Sequence, residues 1–284
     1  MSFQSIENLL NAAADKPLWQ AVQEDDCHDR GTDSSESWTR MSALWSAMVG
    51  AVQNYDGCRR SASGLAGGAG QLVDAAAETL CGPFVQSVIS TALKTGECNA
   101  CMGRIVAAPT AGASGVMPAV LLPTQEKFRL LDERMIQALY VAAGFGQVIA
   151  TRASISGAEG GCQAEIGSAS AMAAAALVFL RDGSPAQMAN ACAMAIKNLL
   201  GLVCDPVAGL VEVPCVKRNV TGAMNALACA DMALAGVTSA IPCDEVIDSM
   251  RAVGDAMPAA LRETGLGGLA ATPTARRIAQ QILK

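Results

Sequence analysis

Three cysteines in this sequence stand where the chain breaks between apolar segments. Cys162 follows the Gly-rich run SISGAEGG (Ser154 to Gly161), Cys204 follows the helix end KNLLG, and Cys215 follows Pro214. Cys204 and Cys215 lie eleven residues apart in LVCDPVAGLVEVPC, too far for a zinc knuckle. A thiol at such a break can turn into a cleft. At a helix N-terminus, where Cys162 is expected to open a helix, exposed amides and the macrodipole favour the thiolate, which is the form that binds metal. The three could form one three-thiolate site, with spacing too irregular for a ferredoxin string. Cys162 alone could still be a small buried hydrophobe, the commoner fate of a free cysteine.

Two further strings could do chemistry. Cys98-x2-Cys101 in ECNACMG is half of a zinc ribbon or a redox pair by spacing. No second pair follows and the single histidine, His28, is far away in sequence, so two small residues in a loop are expected. The loop PTAGASG (Pro109 to Gly115) lacks the lysine of a P-loop. Its main-chain donors and the hydroxyls of Thr110 and Ser114 suit a carboxylate, and a plain tight turn is the even alternative. Lys217 and Arg218, beside Cys215, could attract a carboxylate or be ordinary surface charges.

The elements that must position these residues read as helices. Met41, Leu44, Trp45, Met48 and Val52 recur at helical spacing in Arg40 to Asn54, and SASAMAAAALVFL (Ser168 to Leu180) is apolar on nearly every side, hence central. Ser184-Pro185 and Thr272-Pro273 each place a capping side chain before a proline at the first helical position, the first of these helices ending at Gly201. Strand signatures are few, and an all-α, compact helical fold is expected, with Gly/Ser-rich loops at Ser61 to Gly70, Pro109 to Gly115 and Ser154 to Gly161. With 16% charged and 4% aromatic residues, the interior must be filled by Ala, Val, Leu and Met, which favours close helix packing. The polar stretch Glu24 to Glu36 reads as an exposed loop, carrying His28, that sets a short N-terminal arm apart from the body. No repeat or boundary divides the chain, so residues 1–284 are expected to form a single domain, with 1–36 as arm and loop.

A net charge of −6 gives no electrostatic footprint for nucleic acid. The start MSFQSIENLLNAAADKP lacks the basic and apolar regions of a signal peptide. Ile105 to Gln125 is charge-free but holds Pro109, Pro118 and Pro123, so loop plus short helix is expected there. Met135 to Thr151 falls short of a membrane span and reads as a buried helix. A cytoplasmic location without membrane is therefore expected, and eleven cysteines there are free thiols or metal ligands rather than disulfides. Low charge with positive mean hydropathy points to apolar surface covered by a partner subunit.

ASISGAEGGCQAEIGSASAMAA, KNLLGLVCDPVAGLVEVPCVKRN and IVAAPTAGASGVMPAVL closely resemble the iron-sulfur-dependent bacterial L-serine dehydratases, in particular the separate alpha chain of the two-subunit type. The similarity continues through IPCDEVID and LRETGLGGLAATPT and covers nearly everything from about Asn99 onward. The resemblance implies that Cys162, Cys204 and Cys215 hold a 4Fe-4S cluster, leaving one iron without a protein thiolate to act as Lewis acid on the substrate hydroxyl. It also implies elimination of water from L-serine, through aminoacrylate, to pyruvate and ammonia. The expected substrate contacts are Thr110, Gly112, Ser114 and Gly115, then Ser154, Ser156 and Asn198. The α-proton base is expected from a beta chain, because the family's Ser/His motif belongs to that partner.

Two departures from the family pattern stand out. Ser63 to Gly70 reads SGLAGGAG, where the family more often has threonine at the position of Ala66 and aspartate at that of Ala69. The chain ends in RRIAQQILK without the terminal cysteine of single-chain relatives. Competing readings are a cysteine desulfidase of the same fold family and a non-catalytic binding or scaffold subunit. A pyridoxal phosphate dehydratase is weaker, since no lysine lies in or beside PTAGASG or SISGAEGG.

Overall fold

Alanine sets the architecture. In the computed structural model, which describes residues 3–282, every residue of the Ser168–Leu180 helix is buried, and side chains this small let four other helices close around it. In chain order the helices are α1 (Ile6–Asn11), α2 (Leu18–Arg30), α3 (Ser34–Gln53), α4 (Ala69–Asp74), α5 (Gly82–Ala100), α6 (Val116–Phe128) and α7 (Asp132–Arg152). They continue with α8 (Gly157–Gly160), α9 (Ser168–Leu180), α10 (Pro185–Lys197), α11 (Cys215–Leu234), α12 (Cys243–Ala256) and α13 (Pro273–Ile282). Helices α6, α7, α10 and α11 surround α9. No strand forms among the described residues; one isolated parallel bridge pairs Cys204 with Arg262. The all-α expectation holds.

The capping signals act as read. Ser184 Oγ accepts from Gln187 N at 3.2 Å while Gln187 Oε1 accepts from Ser184 N at 2.8 Å, a reciprocal capping box that starts α10. This helix ends at Lys197 rather than at Gly201. The Gly201 N–H is taken by Gln163 Oε1 at 2.8 Å instead of by a helical carbonyl, and the chain leaves the helix by turns. The Ile105 to Gln125 run is irregular up to Gly115 and then enters α6, and Met135 to Thr151 lies within the largely buried α7. Gln163–Leu180 is long and apolar enough to cross a bilayer, but 94% of it is buried against other helices.

The N-terminal region differs from expectation. Glu24 to Glu36 is not an exposed loop: α2 runs through Arg30, Gly31 reverses the chain at φ 63°, and Asp33 caps α3 by accepting from Glu36 N at 2.9 Å. The acids that suggested a loop mostly coat the outer side of α2, while Leu18, Ala21, Val22 and Asp25 turn inward at helical spacing. His28 is exposed in the last turn of this helix. Phe3, Ile6, Leu9, Leu18 and Val22 belong to the same buried cluster as α9, so residues 3–36 are not a detached arm. Asp244, at the start of α12, accepts from Ile6 N at 2.8 Å and locks α1 in place.

Leu9 is fully buried in this cluster. Leu9→Ala should therefore destabilise the chain by about 2–5 kcal/mol, read as a lowered urea midpoint at unchanged slope. An unchanged midpoint would show that α1 contributes nothing to the core.

Candidate functional site

Each of the three thiols is set by a backbone feature that the surrounding side chains hold. Cys162 begins a helix whose next turn, Gln163–Gly167, is a π-turn running straight into α9. Buried Gln163 donates from Nε2 to Met250 O at 2.9 Å, and its backbone N–H reaches Leu202 O at 2.9 Å, which fastens the segment before Cys204 to the start of this helix. Cys204 is held between two strand-like bonds, its N–H to Leu261 O at 2.9 Å and its carbonyl accepting from Glu263 N at 2.7 Å. Val207 N donates to Val213 O at 2.8 Å, folding the 207–213 loop back so that Cys215 opens α11 close by.

Charge ties these pieces together. Arg218 is not a surface residue: its guanidinium donates to Val203 O at 2.8 Å and to Asp205 Oδ1 at 2.9 Å, and its charge acts on the Cys162 thiol. Asp205 Oδ2 in turn accepts from Leu269 N at 2.7 Å. Lys217 is exposed. Burial pushes the Cys162 thiol up to about 11, with Arg218 pulling the other way, and pushes Cys215 up to about 12. Cys204 is raised well above the usual thiol range, by burial first and then by Glu165 and Cys162. Cys162 raises both of the others and Cys215 raises Cys204, so the three sulfurs are electrostatic neighbours despite their separation in sequence. Among the described residues, no three His, Cys, Asp or Glu side chains converge in the way that would hold a metal ion.

The PTAGASG loop is brought to the same place. Buried Asn219, on α11, accepts from Gly115 N at 2.8 Å and donates to both Gly112 O and Cys215 O at 2.9 Å, joining the loop to the Cys215 turn. Thr110 Oγ1 donates to Glu165 Oε1 at 2.7 Å, and Glu165 Oε2 lies 3.8 Å from Cys204 Sγ. Ser114 is buried with its hydroxyl unpartnered, a polar atom that a bound group could satisfy. At Gly157 a Cβ would fall 2.7 Å from Glu165 Oε2 and 2.9 Å from Cys204 Sγ, so only glycine lets the SISGAEGG loop come this close.

Two other expected contacts, Ser154 and Asn198, lie elsewhere. Ser154 donates to Glu159 Oε2 at 2.6 Å and accepts from Ser156 N at 3.0 Å, and it lines a cleft of about 380 Å³ whose walls include none of the three thiols. Ser156 stands at the N-cap of α8. Asn198 is exposed at the end of α10 and bonds Asn225 Oδ1 at 2.7 Å; Asn225 is ten residues beyond Cys215 on α11, about 15 Å along the axis. Cys98 and Cys101 are not in a loop: they occupy the last turn of α5 and its C-cap.

A family model described as serine dehydratase alpha chain matches residues 13–270. The chain belongs to this family. It is 56% identical over 240 residues to a Bacillus subtilis chain named for an L-serine dehydratase alpha chain, covering 84% of this chain and 80% of that one. A Latilactobacillus sakei chain of the same naming is 57% identical over 194 residues, 68% of this chain and 93% of its own. The L-serine dehydratase alpha chain of Peptoniphilus asaccharolyticus is 51% identical over 207 residues, covering 73% and 71%.

In this serine dehydratase alpha chain the residues that sequence reasoning missed are acids. Glu165 is half-buried, and burial raises its pKa while the Thr110 bond opposes the shift. Glu212 accepts Ser61 Oγ at 2.8 Å and Ser63 Oγ at 2.5 Å. Glu97 accepts Tyr55 OH at 2.5 Å and the amides of Gly67, Ala69 and Gly70 at 2.8 to 3.2 Å. The glycines of the Ser61 to Gly70 loop thus bring its backbone onto a carboxylate of the chain itself. Isolated acids inside apolar, small-residue strings were the available signal.

The thiol shifts fix the sign of a pH effect. Each thiol titrates higher in the folded chain than at its ordinary value of 9.0, so the folded state holds more protons above that pH. The resulting stability is complete below about pH 9 and is lost as pH rises toward 11 and 12. The melting temperature of the ligand-free chain should fall between pH 9 and 11 more steeply than that of a Cys162→Ser, Cys215→Ser double variant. Parallel profiles would show that the thiols are not buried in one another's company.

Proposed function

We propose that the chain is the catalytic alpha subunit of a cytoplasmic L-serine dehydratase, acting as one unit with a beta chain and holding a 4Fe-4S cluster through Cys162, Cys204 and Cys215. The observation that carries this reading is that Cys162, Cys204 and Cys215, drawn from three chain breaks, lie within electrostatic reach of one another beside the loop that carries Thr110 and Ser114. Donor chemistry fits the group. Soft sulfur ligands suit iron-sulfur clusters, and a cluster spreads its protein ligands over several metal atoms rather than gathering them at one. The close approach of Gly157 to Cys204 and the Arg218 charge acting on Cys162 are the kind of outer support that aims metal ligands.

The reaction removes the α-proton and β-hydroxyl of L-serine as water, giving aminoacrylate, which tautomerises and hydrolyses to pyruvate and ammonia. Bound at these thiols, a cluster with one iron free of protein thiolate supplies a Lewis acid for the departing hydroxyl. The chain's own residues bind and orient. The Thr110 to Gly115 loop, fixed by Asn219, receives the substrate carboxylate, with the unpartnered Ser114 hydroxyl as one donor. Arg218 remains committed to Asp205 and holds the Cys162 and Cys204 segments at fixed separation. Proton removal falls to the beta chain, because His28 sits exposed on α2, which packs on α1, α3 and α7.

Single Cys162→Ser, Cys204→Ser and Cys215→Ser variants purified without oxygen should lose bound iron and visible absorbance, while Cys98→Ser, Cys101→Ser and Cys192→Ser keep both. Pyruvate should form from L-serine only when a beta chain is added. A colourless, iron-free wild type after anaerobic reconstitution would overturn the reading.

A further inference from the structure

L-Serine carries three groups that a buried site must satisfy, and the dehydratase reading provides for two of them, the carboxylate and the hydroxyl. Its α-ammonium needs an acceptor, since an uncompensated cation in a water-poor pocket is costly. Asp205 cannot serve, being paired with Arg218 and Leu269 N. Glu263 is exposed at the rim. Glu165 remains. Its Oε1 is fixed by the Thr110 hydroxyl, and its Oε2 has only a weak 3.8 Å contact with Cys204 Sγ. Among the described residues it forms no salt bridge.

Space around this carboxylate is equally particular. Gly157 flanks Oε2 and Gly112 flanks Oε1, where added Cβ atoms would lie 2.7 Å and 3.3 Å away, so backbone without side chains walls both oxygens. As an iron ligand the Cys204 sulfur would offer no S–H, and Oε2 would then have no hydrogen-bond donor among the contacts described. A small primary ammonium is the chemistry that a carboxylate so placed takes.

We propose that Glu165 accepts the α-ammonium of L-serine and is thereby the residue that separates 2-amino-3-hydroxy acids from 3-hydroxy acids lacking the amine. Thr110 is then a positioning residue, aiming Glu165 through its hydroxyl. The inference rests on the dehydratase reading, and the two fail differently.

The test uses the cluster-loaded enzyme assembled with its beta chain. Wild type is assayed first for iron and for pyruvate release; absence of both would take down the dehydratase reading and this inference with it. With wild type active, Glu165→Gln should keep its iron and visible absorbance but raise KM for L-serine about 10- to 150-fold, the range for losing one charged hydrogen bond. The change in the cluster spectrum on adding L-serine should shift to higher concentration by the same factor. The inhibition constant of 3-hydroxypropanoate, which lacks the amine, should stay within about 2-fold or fall. A general distortion of the pocket would instead raise KM and the inhibition constant together, and a direct role in proton transfer would lower kcat with KM unchanged. Either pattern overturns the assignment, as does an unchanged KM. If Glu165→Gln does not load iron, Glu165→Asp is read by the same ratio and should retain part of the preference for L-serine over 3-hydroxypropanoate; loss of all preference overturns it.

Discussion

The ion pair between Asp205 and Arg218 is the interaction on which the site depends. It lies at 2.9 Å with both side chains largely sheltered from water. Three pieces of chain meet there, the Val203 to Asp205 turn, the first turn of α11 and the Leu269 segment, and the Arg218 charge acts on Cys162 as well. A buried pair is weak evidence of net stability, because desolvation consumes most of the attraction, yet removing one partner leaves an orphaned charge at a cost of about 3–5 kcal/mol. What the pair secures is relative placement. Together with the Arg218 bond to Val203 O, it holds the Cys204 turn at a set distance from α11.

Around that pair the molecule uses two kinds of cohesion. The helical body is held by apolar contact, with α9 at the centre and α1 and α2 completing the packing. The loops are held by carboxylates and amides: Glu97 gathers the Gly67 to Gly70 backbone, Glu212 gathers Ser61 and Ser63, and Asn219 joins Gly112, Gly115 and Cys215. Apolar packing is non-directional, whereas hydrogen bonds to charged acceptors fix distance and angle. The division puts directional bonds where side chains must be aimed.

Much of the helical body is legible in the residues alone. The run Ser168 to Leu180 has no polar face and could only be central, and Ser184-Pro185 with Gln187 spells out a helix start. The N-terminal helices are hidden because α2 presents mostly acids along its outer side and few large apolar residues inward, so its periodicity is faint beside its polarity. At the site, Cys162, Cys204 and Cys215 can be picked out as thiols at chain breaks, and the resemblance singles them out as a set. Glu165, Glu97 and Glu212 cannot be given partners, since pairing of a lone acid is decided by residues 27 to 151 positions away. Asn198 stands close to Cys204 in sequence, but the turn ending at Gly201 carries the chain away from it, leaving Asn198 against α11 well beyond Cys215.

Cys162 and Cys204 bracket α9 and α10, two helices that the core has already immobilised. In a flexible chain, drawing together the ends of a segment some forty residues long carries a closure entropy of a few kcal/mol. Here that entropy is spent when the helices pack, before any sulfur acquires a partner. The group proposed for these thiols would therefore meet a receptor whose configurational cost lies in the folding of the hydrophobic body, and its affinity could go into bonding rather than into ordering the polypeptide.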